Sequence, residues 1–284
     1  MSEQISKAVL VTGCSSGIGR ATAERLAKRG WTVYATARKL DSIAPLAEHG
    51  CRLLELDVRD DDSMRAAVEA VIGAEGAVGV LVNNAGYSQS GAIEEVPLDA
   101  VRRQFETNVF GLVRMTQLVL PGMRAQGWGK IVNLSSMGGK LTFPGGGHYH
   151  ATKHAVEAIS DALRFEVRGF GVDVIVIEPG LIKTAFGETA VGSIESELPA
   201  DGPYAEFNAA VGEATAGAYE GPLARLGAGP EAVARVIEKA IGARRPKTRY
   251  PVTASARLIL GQRRLLRDRT WDRFLRTQFP APGR

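Results

Sequence analysis

Short apolar runs alternate along this chain with longer segments in which apolar positions recur every three or four residues. Lys7–Thr12 (KAVLVT) is an apolar run that stops at a glycine, and it predicts a buried strand. Gly17–Gly30 follows with Ile18, Ala21, Leu26 and Ala27 at helical spacing and Lys-Arg-Gly at its end, which predicts a helix. Further strands are predicted at Thr32–Thr36, Arg52–Leu56, Val80–Val82, Lys130–Leu134 and Val172–Ile177. Helical patterns lie between them near Asp62–Ile72, Leu98–Met123 and Tyr149–Arg168. The alternation predicts an α/β chain with a doubly wound parallel sheet covered on both faces. In that architecture the ligand crevice opens at the carboxyl ends of the strands.

Two later stretches break the pattern. Residues 187–229 are rich in Ala, Gly and Glu with weak periodicity and isolated Tyr204 and Phe207. An insertion of that size after the sixth strand reads as a helical lid over about 185–229, or as a plain surface excursion. Beyond it, Leu258, Ile259, Leu265, Leu266, Trp271, Phe274 and Leu275 are interspersed with arginines, predicting an amphipathic helical tail over about 253–276. Such a helix can lie on an anionic membrane surface, or dock on the body or on a partner subunit. Residues 1–284 are read as a single domain.

Composition narrows the class. With 45% hydrophobic and 23% charged residues, disorder and collagen-like structure are excluded. From Arg244 onward there are 12 Lys/Arg against only Asp268 and Asp272, so the preceding body is mildly acidic. A chain-wide nucleic-acid surface is therefore not expected. Cys14 and Cys51 cannot build a disulfide framework and match no metal-ligand spacing, and the four histidines do not add a metal site. A reducing compartment suits such a chain. The N-terminus lacks a signal-peptide pattern, and no stretch approaches the roughly 18 apolar residues of a membrane span. The expectation is a cytoplasmic protein without a metal.

Candidate chemistry begins at the first strand-to-helix junction, Gly13-Cys-Ser15-Ser16-Gly17-Ile18-Gly19. Glycines there permit a tight turn and let a pyrophosphate approach the helix N-terminus. At the end of the second strand an acidic residue would hold the adenosine ribose of NAD. The segment reads Thr36-Ala37-Arg38-Lys39 instead, and the planar fork of Arg38 suits a 2′-phosphate, which favours NADP(H). Tyr149 and Lys153 lie four apart on a predicted helix and share a face. A neighbouring ammonium stabilises a phenolate and brings a tyrosine, ordinarily near pKa 10, into useful range. Asn83-Asn-Ala85-Gly86, Asn133-Leu-Ser-Ser136, Asn108 and Pro179-Gly180-Leu-Ile182-Lys-Thr184 all fall at strand C-termini or on crevice-side helices.

Taken together, these residues resemble the short-chain dehydrogenase/reductase family over roughly residues 7–184. Val33–Arg38 and Glu178-Pro-Gly180 look like the branch of hydroxysteroid and retinol dehydrogenases or of acyl-dihydroxyacetone-phosphate reductases. The resemblance implies a Rossmann fold and hydride transfer between NADP(H) and a carbonyl. It implies Tyr149 as general acid/base, Lys153 lowering its pKa and holding the nicotinamide ribose, and Ser136 hydrogen-bonded to the substrate oxygen. Asn108 would hold a water in a proton relay through Lys153. The family interval of 13 residues to the tyrosine selects Ser136 over Ser135. Gly13, Ser15, Ser16, Gly17, Ile18 and Gly19 would embrace the pyrophosphate, and Asp57 and Val58 would contact adenine. Asn83, Ala85 and Gly86 would line the adenosine-ribose side. Thr184 would meet the carboxamide, with Pro179, Gly180 and Ile182 completing the cofactor contacts.

The segment between serine and tyrosine should border the substrate carbonyl. Leu141, Phe143, Phe186 and the lid aromatics predict an apolar pocket for a bulky hydrophobic ketone or its alcohol, of steroid, retinoid or lipid-like type. His148, beside the tyrosine, reads as a substrate contact or as a packed side chain. A homo-oligomer, dimer or tetramer, through the Leu98–Met123 and Tyr149–Arg168 helices would be typical of the family. Two rival readings are an epimerase or dehydratase on the same fold and a non-catalytic NADP-sensing or scaffold protein. The first would carry a longer substrate domain and a Gly-x2-Gly-x2-Gly turn. The second would be expected to have lost Tyr149 or Lys153, and both are present.

Overall fold

A computed structural model describes residues 5–199, 201–220 and 222–282, so residues 200 and 221 of the expected lid and both extreme ends of the 1–284 domain lie outside it. The first apolar run becomes β1 (Val9–Val11), buried on both faces. Val9 and Val11 point to one side, with α1 (Gly17–Lys28) and α8 (Pro230–Gly242) supplying Leu26, Val233 and Ile237. Leu10 points to the other, where α2 (Asp61–Glu75) and α4 (Gly111–Ala125) supply Val68, Val71, Met115 and Val119. Period-two alternation thus divides one strand between two hydrophobic layers, which is why the run carries no polar position.

The remaining strands are β2 (Val33–Ala37), β3 (Arg52–Glu55), β4 (Val80–Asn83), β5 (Gly129–Leu134), β6 (Val172–Glu178) and β7 (Arg249–Pro251). They form one parallel sheet in the order β3-β2-β1-β4-β5-β6-β7. The order reverses about β1, so the crevice opens between the ends of β1 and β4. The doubly wound sheet expected from the pattern is present, with a seventh strand and helix α8 that the pattern reading left unassigned.

The long helix expected over Leu98–Met123 is interrupted. α3 (Leu98–Phe105) runs into one π-helical turn, Glu106–Phe110, before α4 begins. After β6 the insertion is helical, as α6 (Phe186–Glu197) and α7 (Ala205–Glu220). Its base is pinned by a parallel bridge between Ile182 and Ala228. Asn208 of α7 ties it to the 92–95 loop, accepting from the Ala92 N–H at 2.9 Å and donating to Glu95 at 2.6 Å. The tail folds as α9 (Ala254–Leu265) and α10 (Asp268–Leu275). α9 starts against Gly180, where Ser255 Oγ accepts from the Leu181 N–H, and Trp271 of α10 is buried on the body. The tail thus packs on the body through Trp271, while Leu258, Leu265 and Phe274 stay exposed. Among the described residues no helix is long and apolar enough to cross a membrane.

Candidate active site

The glycine turn is built around an approach no side chain could share. Gly13 and Gly17 adopt φ of +73° and +56°, a region glycine enters freely. A Cβ on Gly19 would land on the Gly13 carbonyl oxygen and the Asn84 amide. Asn84 holds the turn by donating to the carbonyls of Thr12 at 2.9 Å and Gly13 at 3.0 Å. Thr12 Oγ1 in turn accepts from the N–H groups of Asn84 and Ala85, each at 3.0 Å. The result is a backbone-lined cradle at the N-terminus of α1, whose fit is to a dinucleotide pyrophosphate.

A cavity of about 1100 Å³ runs from this cradle past β4, β5 and β6 to the tail. Gly13, Ser15, Ser16, Gly17, Ile18, Arg38, Asp57, Val58, Ala85 and Gly86 line its first half. Arg38 is exposed at the end of β2 with no ion-pair partner among the described residues, and Ala37 before it is too small to fill the space an acid would take. Asp57 is held below the usual carboxylate range by its bonds to the Arg59 guanidinium, with Arg38 adding a smaller effect. Two expected contacts lie under the surface instead. Gly19 supports the turn from below, and Asn83 donates within the core to Thr116 Oγ1 at 3.3 Å and Asn133 Oδ1 at 3.0 Å. Position 84, not 83, reaches the cavity because successive residues leaving β4 point to opposite sides.

Midway along, α5 (Gly147–Val167) brings Tyr149 and Lys153 to the cavity wall opposite Ser136. The Lys153 Nζ lies 5.8 Å from the centre of the Tyr149 ring and donates to the Leu134 carbonyl at 2.8 Å. Burial lowers its pKa to about 8, with the anion of Glu157, one turn on, acting against that shift. Ser136 begins a short turn by accepting from the Gly138 N–H at 3.0 Å, and its hydroxyl remains on the cavity side. Ser135, also on the lining, is buried and continues the strand pairing, its N–H bonded to the Ile177 carbonyl at 2.9 Å.

Asn108 sits in the π-helical turn, buried, behind Lys153 rather than on the wall. Its amide is clamped by the Tyr87 backbone: Oδ1 accepts from the N–H at 3.1 Å, and Nδ2 donates to the carbonyl at 2.9 Å and to Thr152 Oγ1 at 3.1 Å. The extra residue of a π turn re-aims one side chain without ending the helix. Asn108 Oδ1 and Lys153 Nζ both flank Gly86, where a Cβ would lie 3.0 Å and 3.7 Å from them.

Beyond Tyr149 the lining becomes apolar. Pro179, Gly180, Ile182 and Thr184 follow β6, and Thr184 Oγ1 accepts from the Phe186 N–H at 3.3 Å to open α6. The Phe186 ring centre lies 5.4 Å from that of Tyr149. From Gly180 to Phe279 no lining residue is charged. His148 is not among the lining residues; it is hydrogen-bonded to the Ile93 backbone. The helix begins at Gly147, and at 100° per residue it turns His150 toward the cavity instead. His150 Nδ1 accepts from the Phe143 N–H at 3.2 Å, and burial pushes its pKa down to about 4, so the ring is neutral. Trp271, Phe274 and Leu275 of the tail complete the far wall, which the sequence pattern did not assign to the site.

Residues 7–192 match the family model for short chain dehydrogenases. An uncharacterized oxidoreductase, YbbO, of Escherichia coli is 36% identical over 272 residues, covering 95% of this chain and 94% of its own. An NADPH-dependent 3-dehydrocapnine reductase of Ornithobacterium rhinotracheale is 36% identical over 275 residues, covering 93% and 94%. A short chain dehydrogenase/reductase of Burkholderia phymatum, solved in complex with NAD, superposes with a TM-score of 0.77 at 27% identity, covering 100% of this chain and 99% of that one. Fold, motif order and full-length similarity agree: this chain belongs to the short-chain dehydrogenase/reductase family of nicotinamide-dependent oxidoreductases.

Proposed function

We propose that the protein transfers a hydride between NADP(H) and a hydrophobic ketone or its secondary alcohol, with Tyr149 as the general acid/base. The observation that carries this reading is one cavity in which the glycine cradle and Arg38 stand at one end, Ser136, Tyr149 and Lys153 in the middle, and uncharged walls beyond.

The nicotinamide supplies the hydride at its C4 position when bound. The chain's own residues do the rest. Ser136 and Tyr149 hydrogen-bond the substrate oxygen, fixing the carbonyl and polarising it. The Tyr149 hydroxyl gives its proton to that oxygen in reduction and takes it back in oxidation. Lys153 steadies the phenolate and bonds the nicotinamide ribose. Asn108, held by Tyr87, anchors the relay that returns a proton behind Lys153. Asp57 and Val58 border the adenine, and Arg38 pairs with the 2′-phosphate that separates NADP from NAD. NADPH is the cofactor named for the Ornithobacterium relative, while the Burkholderia structure holds NAD. The walls formed by Phe143, Phe186 and the tail favour a lipid-like or polycyclic substrate, bound chiefly by burial of apolar surface.

The test is a titration of both cofactors against wild type and Arg38→Ala, followed by turnover of steroid, retinoid and long-chain ketones. NADPH should bind more tightly than NADH, and Arg38→Ala should erase the difference. Tyr149→Phe should abolish turnover while cofactor binding survives. Equal binding of both cofactors by wild type would refute the phosphate assignment, and unimpaired Tyr149→Phe the acid/base role.

A further inference from the structure

We propose that the α9–α10 hairpin docks this protein on an anionic bilayer, with the mouth of the cavity turned toward the lipid. The link from surface to substrate rests on the hydrophobic-ketone reading above. The docking surface itself rests on how the hairpin divides its residues.

One side of the hairpin is consumed by the body. Trp271 is buried, and Ile259 and Leu275 line the cavity beside it. The other side carries Arg257, Arg264, Arg267, Arg269, Arg273 and Arg276, all exposed, and none has an ion-pair partner among the described residues. Arg263 alone is neutralised, by Asp268 at 2.6 Å. These cations belong to a chain whose first 243 residues are net acidic.

The cavity wall extends onto the same hairpin. Leu258 and Phe274 line it and yet remain exposed, and Leu265 is 86% exposed. Leu265, Trp271 and Phe274 also wall a smaller hollow of about 270 Å³ at the same place. Apolar side chains left in water on a hairpin that also carries six exposed, unpaired arginines match the interface of an anionic bilayer. There the guanidinium groups meet lipid phosphates and the leucines and phenylalanine enter the acyl boundary. A nucleic acid would satisfy the arginines and leave the apolar rim wet. A second copy of this face would set six arginines against six. The bilayer alone answers both features, and it is also where a lipid-like ketone resides.

The full chain should be co-sedimented with vesicles of phosphatidylcholine alone and of phosphatidylcholine with phosphatidylglycerol. Wild type is expected to bind the anionic vesicles, weakly or not at all the neutral ones, and less as salt rises. Replacing Arg264, Arg267, Arg269 and Arg273 by Gln should lower partitioning by up to about 1000-fold, since each basic residue near an anionic surface contributes about fivefold. The corresponding four-Lys variant should bind like wild type. The Gln variant should still reduce a water-soluble ketone with NADPH, which shows it folded. Wild type binding neither vesicle, a Gln variant binding as wild type does, or arginine-dependent self-association in place of vesicle binding would overturn the proposal. A wild type that binds anionic vesicles and reduces no ketone supports the docking surface and counts against the ketone reading instead.

Discussion

The indole of Trp271 packs with its ring centre 6.0 Å from that of Phe143, joining the last helix of the chain to the segment just ahead of Tyr149. Phe143 in turn donates its backbone N–H to His150 on α5, so the tail is mechanically linked to the helix that carries Tyr149 and Lys153. The cavity wall is therefore completed by residues more than a hundred positions downstream of the tyrosine.

Trp271→Ala should destabilise the protein by about 3 kcal/mol, in the range for a buried tryptophan truncated to alanine. It should also raise KM for a bulky ketone more than for a small one, because the lost wall meets only the larger substrate. Trp271→Phe should recover most of both effects. Thermal unfolding and steady-state kinetics with two ketones of different size check this. An equal change in KM for both would place the indole away from the substrate.

Lys153 predicts a pH dependence with a definite sign. Its pKa falls from an unfolded value near 10.5 to about 8 because burial disfavours the ammonium. Between those values the unfolded chain binds the proton and the folded chain does not, so unfolding takes up a proton and stability rises with pH. The cofactor-free protein should gain up to about 3 kcal/mol from this group between pH 8 and 10.5, and nothing from it below pH 7. Lys153→Met should lose that slope and be the more stable of the two at pH 7. Denaturant unfolding at pH 7 and pH 10 compares them, and parallel pH profiles would show that the buried amine does not titrate there.

Phe165 on α5 is 88% exposed, and Phe110 at the start of α4 is exposed as well. Single exposed apolar residues are ordinary, but phenylalanines left this exposed on these helices are candidates for burial against a second copy. Burial of each against a second copy would contribute about 1.5–3 kcal/mol. A homo-oligomer through these two helices would bury them. Phe165→Asp should shift the sedimentation coefficient from oligomer toward monomer at micromolar concentration, with little change in the far-UV spectrum. An unchanged coefficient would remove this face from the interface.

How much of this was legible depended on whether a signal was local. Val9–Val11 and the Val174–Ile177 core of β6 announce themselves because strand segments buried on both faces must be apolar. The expectation for Arg38 rests on one position at the end of one strand, and the fold does bring that position to the cavity. β7 was not: Arg249-Tyr250-Pro251 has no apolar run, and it pairs with Val176–Glu178 while Arg249 reaches Glu157 and Asp161, contacts set by the tertiary fold. α8 was readable and went unread, with Pro230 in its first turn, Glu231 beside it, and Val233, Ile237 and Ile241 four apart. His150 rather than His148 faces the cavity because α5 is already helical from Gly147, and two residues along a helix differ by about 200°, just over half a turn. The tail's amphipathic pattern said that one side needed cover. Only the fold could say that Trp271 finds that cover in the cavity wall.

Gly19 and Gly17 separate two reasons for glycine within one turn. A Cβ at Gly19 would collide with the Gly13 carbonyl and the Asn84 amide, both parts of the rigid framework between β1 and β4. A Cβ at Gly17 would meet only Thr184 at 3.4 Å, an ordinary contact, and would cost the left-handed backbone alone, about 1–2 kcal/mol. Gly19→Ala should therefore open the Asn84 bridge, lower the melting temperature more than Gly17→Ala does, and abolish NADPH binding at concentrations that saturate wild type. Gly17→Ala should weaken binding in proportion to its smaller strain. NADPH fluorescence titration alongside thermal unfolding measures both. A Gly19→Ala protein that binds NADPH like wild type would mean that the turn can widen without loss, and that the close packing of Gly19 serves the fold rather than the cofactor.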